Sequence, residues 1–136
     1  MRQLLKRYER LESRGPDSGK ETWLNWVIRL PNGDLAGYVQ ATVFLNGCSY
    51  VAYELGSRHW RQGIGGSAVS AMLEELRGHY EVRNYVAVLK AKNYRSEALL
   101  RSLGFVRASA QQEEQHRDEL DEMVMVKEVT DGTDAA

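Results

Sequence analysis

Two turn signatures, Pro31-Asn32-Gly33-Asp34 and Asn46-Gly47, stand one strand length apart, each flanked by aromatic and β-branched residues. Asn-Gly readily takes the positive φ angles of a two-residue hairpin, and Pro-Asn-Gly-Asp closes a turn by a related route. The pattern predicts three consecutive antiparallel strands, over residues 23–30, 35–45 and 50–55. After Leu55 the character changes. A polar, glycine-bearing loop over residues 56–66 gives way to Val69, Met72, Leu73 and Leu76 at helical spacing, until Gly78 stops them. Residues 82–89 read as a strand reached through that helical crossover, and so parallel to the strand before the loop.

Asn93 is a plausible N-cap for a second helix with Leu99, Leu100 and Leu103 as its apolar positions and Gly104 at its close. Residues 105–110 and 123–129 read as a last pair of strands. Between them, residues 111–122 hold six acids against one Arg. That run reads as a solvated loop, with a cation-attracting rim on an acceptor site as the sharper alternative. At the start, Leu4, Leu5, Tyr8 and Leu11 predict a short amphipathic helix over residues 1–13, followed by the break Gly15-Pro16-Asp17-Ser18-Gly19. One domain over 1–136 is expected: an N-terminal helix and linker (1–20), a core (21–129) and a frayed tail (130–136).

Eighteen Lys plus Arg against nineteen Asp plus Glu leave a formal charge of −1. This balance argues against a nucleic-acid binder held by a uniform phosphate field. The apolar runs fall far short of the roughly 20 residues that span a bilayer, so no membrane partner is expected. The charged start, Met1-Arg2-Gln3-Leu4-Leu5-Lys6-Arg7, lacks the apolar core of a secretory signal, and a cytoplasmic location is the default expectation. Cys48 is the single cysteine. It precludes an internal disulfide or a multi-cysteine metal site and reads as a small packed hydrophobe. No metal site is visible.

The chemistry concentrates in Gly56-Ser57-Arg58-His59-Trp60-Arg61-Gln62-Gly63-Ile64-Gly65-Gly66-Ser67. Glycines at a loop-to-helix junction permit close backbone approach, while the first N–H groups of the helix lack intrahelical acceptors. Together they form a cradle for a phosphate or pyrophosphate, to which Arg58 and Arg61 could add charge-assisted contacts. The alternative is a tight strand-to-helix connection with no ligand. Residues 63–68 also match the dinucleotide pattern G-x-G-x-x-A. Its context fails: charged and polar residues precede Gly63, and the following strand ends in Leu89-Lys90 rather than an acid. A Walker loop fails because no Gly-Lys-Ser or Gly-Lys-Thr follows. A nucleotide-binding domain using the same glycines is one rival reading.

Trp60-Arg61-Gln62-Gly63-Ile64-Gly65, followed in order by Asn93-Tyr94-Arg95-Ser96 and Leu103-Gly104-Phe105, resembles the GNAT acetyltransferase superfamily over about residues 23–129. In detail it looks most like the ribosomal-protein N-terminal (Rim-like) branch. The resemblance implies an α/β (α+β) fold: a mixed, mostly antiparallel sheet, splayed between two parallel middle strands and flanked by helices, with shortened N-terminal elements. It implies an N-acetyltransferase moving an acetyl group from acetyl-CoA to a primary amine, on a protein N-terminus or a small molecule, by direct attack in a ternary complex. Cofactor contacts would come from Leu55, Arg61, Gln62, Gly63, Ile64, Gly65, Gly66, Ser67 and Asn93.

Glu54, with a pKa raised by partial burial, is the candidate base, and Ser96 the candidate donor to the departing thiolate. Their bland alternatives are a solvent-facing strand glutamate and a helix-capping serine. Leu100 stands where many members carry a tyrosine acid; Tyr94 and Tyr53 are spare hydroxyls. The rival within the family is a catalytically weak or inactive acyl-CoA-binding sensor or partner domain. His59 and His79 read as surface histidines, while His116 could reach the acceptor. With the N-terminal elements short, part of the acceptor wall could come from a second subunit of a homodimer.

Overall fold

In the computed structural model, which describes residues 10–14, 21–60 and 62–129, one seven-stranded sheet carries the whole fold. The strands are β1 (Arg10–Arg14), β2 (Glu21–Arg29), β3 (Leu35–Phe44), β4 (Cys48–Leu55), β5 (Asn84–Lys90), β6 (Val106–Arg107) and β7 (Glu122–Glu128). Their spatial order is β1-β2-β3-β4-β5-β7-β6, and every neighbouring pair is antiparallel except β4 and β5. The helices are α1 (Ile64–Tyr80), α2 (Tyr94–Ser102) and α3 (Ala110–His116).

Alternation decides the faces. Leu24, Trp26 and Ile28 on β2, Val39, Ala41 and Val43 on β3, and Tyr85, Ala87 and Leu89 on β5 are buried with Val69, Met72, Leu73 and Leu76 of α1. The Tyr85 hydroxyl donates to the Leu73 carbonyl at 2.8 Å, tying sheet to helix, and burial pushes that phenol's pKa up to about 12. The opposite face of β2 to β5 carries Trp23, Asn25, Gln40, Thr42, Tyr50 and Ala52.

The parallel pairing is short. Cys48, Ser49 and Tyr50 face Asn84, Tyr85 and Val86, and beyond Tyr50 the two strands separate. β4 stays on β3 as far as Gly37↔Leu55, and β5 stays on β7 along its whole length. At Gly37 a Cβ would stand 2.0 Å from the Glu54 carbonyl oxygen, so only glycine lets β3 approach β4 this closely.

The expected hairpins, the crossover and the Asn93 cap are present; the differences lie at the ends. α1 runs past Gly78 to Tyr80 and closes at Glu81, φ 56°, where the Val82 amide reaches back to the Leu76 carbonyl and Val82 is fully buried. That burial favours a Schellman-type end two residues later than glycine alone suggests. Residues 10–14 form a strand on β2 where a helix to Ser13 was expected, because the open edge of β2 offers a full ladder; residues 1–9 and 130–136 lie outside the described residues. The strand expected over 105–110 shrinks to Val106–Arg107.

The acidic run is not all loop. Ser109 and Gln112 form a reciprocal capping box that starts α3. Glu113 then clamps α3 to the sheet, accepting two bonds from Arg107 at 3.2 Å and one from the Val124 amide at 3.1 Å. The Arg107 bonds hold its carboxyl below the ordinary glutamate value of 4.5. A lowered folded pKa means the clamp stabilises fully above that value and is lost as pH falls through the lowered one. Glu113→Gln should therefore melt below the wild type at neutral pH, and the two melting curves should converge as pH falls below about 4.5, read by thermal unfolding across pH.

Candidate active site

Where β4 leaves β5, three hollows open in line. One of about 460 Å³ lies between the end of β4 and the start of α1 and α2, lined by Tyr53, Glu54, Leu55, Trp60, Gly63, Gly65, Gly66, Asn93, Arg95, Ser96 and Leu99. A second of about 140 Å³ sits in the gap and shares Tyr53, Asn93 and Ser96 with the first. A third of about 420 Å³ opens on the face opposite α1 and shares Val51, Ala52 and Val88 with the second. The gap thus joins the two faces of the sheet.

Backbone donors gather at the first hollow. Gly63 caps α1 in the left-handed region, φ 78°, with no side-chain hydrogen bond to the first turn. The opening amides of α1 therefore keep their donors for a ligand. A Cβ on Gly66 would meet nothing within 4 Å, whereas one on Gly65 would press Leu99 at 2.9 Å, so Gly65 serves the α1–α2 contact. Ile64 is buried core, and the Gln62 side chain donates to the Arg58 carbonyl at 3.0 Å. Ile64, Gln62 and Ser67 are outside the hollow's lining; the Ile64 and Gln62 backbones could reach a ligand, whereas the Ser67 amide is spent on the Gly63 carbonyl at 3.1 Å. Arg61 lies outside the described residues.

Trp60 shapes the mouth. Its Nε1 donates to the Leu55 carbonyl at 3.0 Å, and the Arg95 guanidinium carbon lies 3.4 Å from the ring centroid. Leu55, expected to meet the ligand, thus has its carbonyl already engaged once, leaving the second lone pair. Asn93 accepts the Ser96 amide at 3.2 Å through Oδ1, so the cap and the cleft wall are one residue. In the gap, the Tyr53 hydroxyl and Ser96 Oγ are 3.1 Å apart. Sequence had named both hydroxyls without joining them, since a contact 43 residues apart leaves no local signal.

Glu54 is exposed on the face shared with Tyr50 and Ala52, not partly buried as expected, because β4 ends at an open rim there. The Tyr38 hydroxyl donates to its Oε1 at 2.7 Å, which raises the Tyr38 pKa. His59 is buried beneath the loop rather than on the surface, close to Gly56, and His79 pairs with Glu75 at 3.1 Å on the exposed end of α1. His116 bonds the Tyr50 hydroxyl at 2.8 Å beside the third hollow. Leu100 is buried, so the position expected to lack an acid is core.

Residues 2–106 match the family model of the acetyltransferase (GNAT) domain. The chain belongs to the GNAT acetyltransferase family. The sequence matches no curated protein. Solved GNAT structures share its fold. A GNAT-family acetyltransferase from Bacillus anthracis is 15% identical over 76% of this chain and 65% of its own, with a TM-score of 0.65. A ribosomal L7/L12 alpha-N-protein acetyltransferase in complex with coenzyme A is 19% identical over 82% and 63%, TM-score 0.67. The ribosomal-protein-S5-alanine acetyltransferase from Vibrio fischeri is 21% identical over 80% and 63%, TM-score 0.66. The chain spans just under two thirds of the length of each.

The splayed, mostly antiparallel sheet is the GNAT arrangement that the motifs implied. Among the described residues, no helix is long and apolar enough to cross a membrane, and no group of three or more His, Cys, Asp or Glu is placed to hold a metal ion.

Trp60→Ala removes both the bond to Leu55 and the face under Arg95, and should cost about 1–2 kcal/mol in denaturant unfolding. Trp60→Phe, which keeps a ring for Arg95, should recover part of that loss.

Proposed function

We propose that this GNAT domain transfers the acetyl group of acetyl-CoA to a primary amine, with both substrates bound at once across the gap in the sheet. The observation that carries the reading is the continuity of the anion cradle, the Tyr53–Ser96 pair and the hollow on the far face. A pyrophosphate fits the uncapped first turn of α1 and the open space at Gly66. The amides of Gln62, Gly63, Ile64, Gly65 and Gly66 would hold it, with the Arg61 guanidinium as counter-charge. A pantetheine arm would then run along the end of β4, toward Leu55 and the Asn93 amide.

Acetyl-CoA supplies the thioester: the amine nitrogen bonds its carbonyl carbon, the carbon–sulfur bond breaks, and coenzyme A leaves. The proton balance falls to the chain. Glu54, two residues beyond Ala52 on the same strand face, takes one proton from the amine through water, and Tyr38 orients its carboxylate. The Tyr53 hydroxyl, paired with Ser96, gives one proton to the departing sulfur. It takes the part for which Leu100 offers no hydroxyl.

Thermal unfolding tests the cradle. Acetyl-CoA at about 100 times its dissociation constant adds roughly 2.7 kcal/mol and should raise the melting point by several degrees. Gly66→Asp, which puts a carboxylate where the phosphate sits, should abolish that rise while melting near the wild type. Glu54→Gln should keep the rise and lose about 100-fold or more in turnover. No rise in the wild type would sink the proposal; a rise without transfer to any amine would favour the acyl-CoA sensor.

A further inference from the structure

The third hollow is a shaped chamber rather than a bare sheet face. Its floor is Ala52, Val86 and Val88, and its near wall is Trp23. Its end wall is Tyr50 and His116, meeting edge-on, with Phe44 edge-on against Tyr50 outside the lining. Phe44 and Tyr50 have centroids 5.6 Å apart at 85°, and Tyr50 and His116 have centroids 5.5 Å apart at 87°. The Tyr50 hydroxyl bonds His116 Nδ1, which leaves Nε2 as the ring nitrogen for a ligand. The wall is firm because Glu113, three residues before His116, is clamped to Arg107 and the Val124 amide.

Polarity and charge limit the occupant. The hollow, about 420 Å³, is open to solvent above an apolar floor. Toward β2 and β3 the sheet amides under the chamber are spent on the ladders, and Asn25 and Gln40 bond one another at 2.8 Å, so the polar groups on that side are already engaged. Asp118 is the one carboxylate in the lining, which favours a cationic ligand.

Resting on the acetyltransferase reading, we infer that the acceptor is a primary amine with an apolar or aromatic body, and that His116 is a specificity-determining contact for it.

Release of free coenzyme A thiol measures the reaction with phenethylamine, tyramine and a hexapeptide bearing an N-terminal alanine. The two compact amines should show the higher kcat/KM. His116→Ala should raise the KM for tyramine about tenfold, the loss of one hydrogen bond to its phenol and of the ring's packing, and that for phenethylamine by less, with the KM for acetyl-CoA unchanged. Thr42→Trp, which fills the chamber from β3, should raise the KM for both amines; because it could fold poorly, the His116 variant decides if the two disagree. Preference for the peptide, an unchanged tyramine KM in His116→Ala, or an acetyl-CoA melting shift with no transfer to either amine would each overturn the inference. Only the absence of that melting shift in the wild type would count against the acetyltransferase reading itself.

Discussion

Three residue pairs join the two halves of the sheet, Cys48, Ser49 and Tyr50 against Asn84, Tyr85 and Val86, and everything functional depends on their number being small. The Gly47 carbonyl adds a pivot, accepting the Arg83 amide at 2.7 Å and the Asn84 amide at 3.1 Å. Beyond Tyr50 each strand follows its outer neighbour: β4 is drawn to β3 by the close approach at Gly37, and β5 to β7. The result is a wedge with two inner strand edges lacking partners in the sheet. Unpaired backbone groups beside a hollow favour a ligand that can bond to them. The wedge also opens the sheet from one face to the other.

Around the wedge, polar side chains fix elements that apolar packing leaves loose. α3 buries none of its own residues, so its place depends on Glu113 and its capping box. The turn after α3 is drawn to the end of β5 by Lys90, whose ammonium bonds Glu119 and Asp121 and is held protonated above its ordinary pKa, first by Glu119. Exposed ion pairs are individually weak. Here they act together on one short segment and set the rim of the chamber at Asp118.

Most of the fold was legible because its signals are local. Asn46-Gly47, the apolar spacing of α1 and the Asn93 cap each act within a few residues, and each appears where expected. The glycine loop appears where expected for the same reason, as a strand-to-helix junction capped by Gly63 in the left-handed region. What was not legible depends on distance. Tyr53 and Ser96 meet only after a crossover brings β4 and α2 together. The exposure of Glu54 follows from where β4 stops, and the strand at residues 10–14 from the free edge of β2. The α3 helix is a different case: Ser109-x-x-Gln112 is a readable helix start, outweighed by the charge of the run that follows.

The three tryptophans divide the molecule among them. Trp26 is buried in the core under α1, Trp60 closes the mouth of the glycine cradle, and Trp23 lines the chamber on the other face. Each indole thus samples one compartment: the packed interior, the hollow at the start of α1 or the hollow on the far face. The chain carries its own optical probes, and replacing two of them at a time with phenylalanine would leave an emission spectrum that reports on one compartment alone.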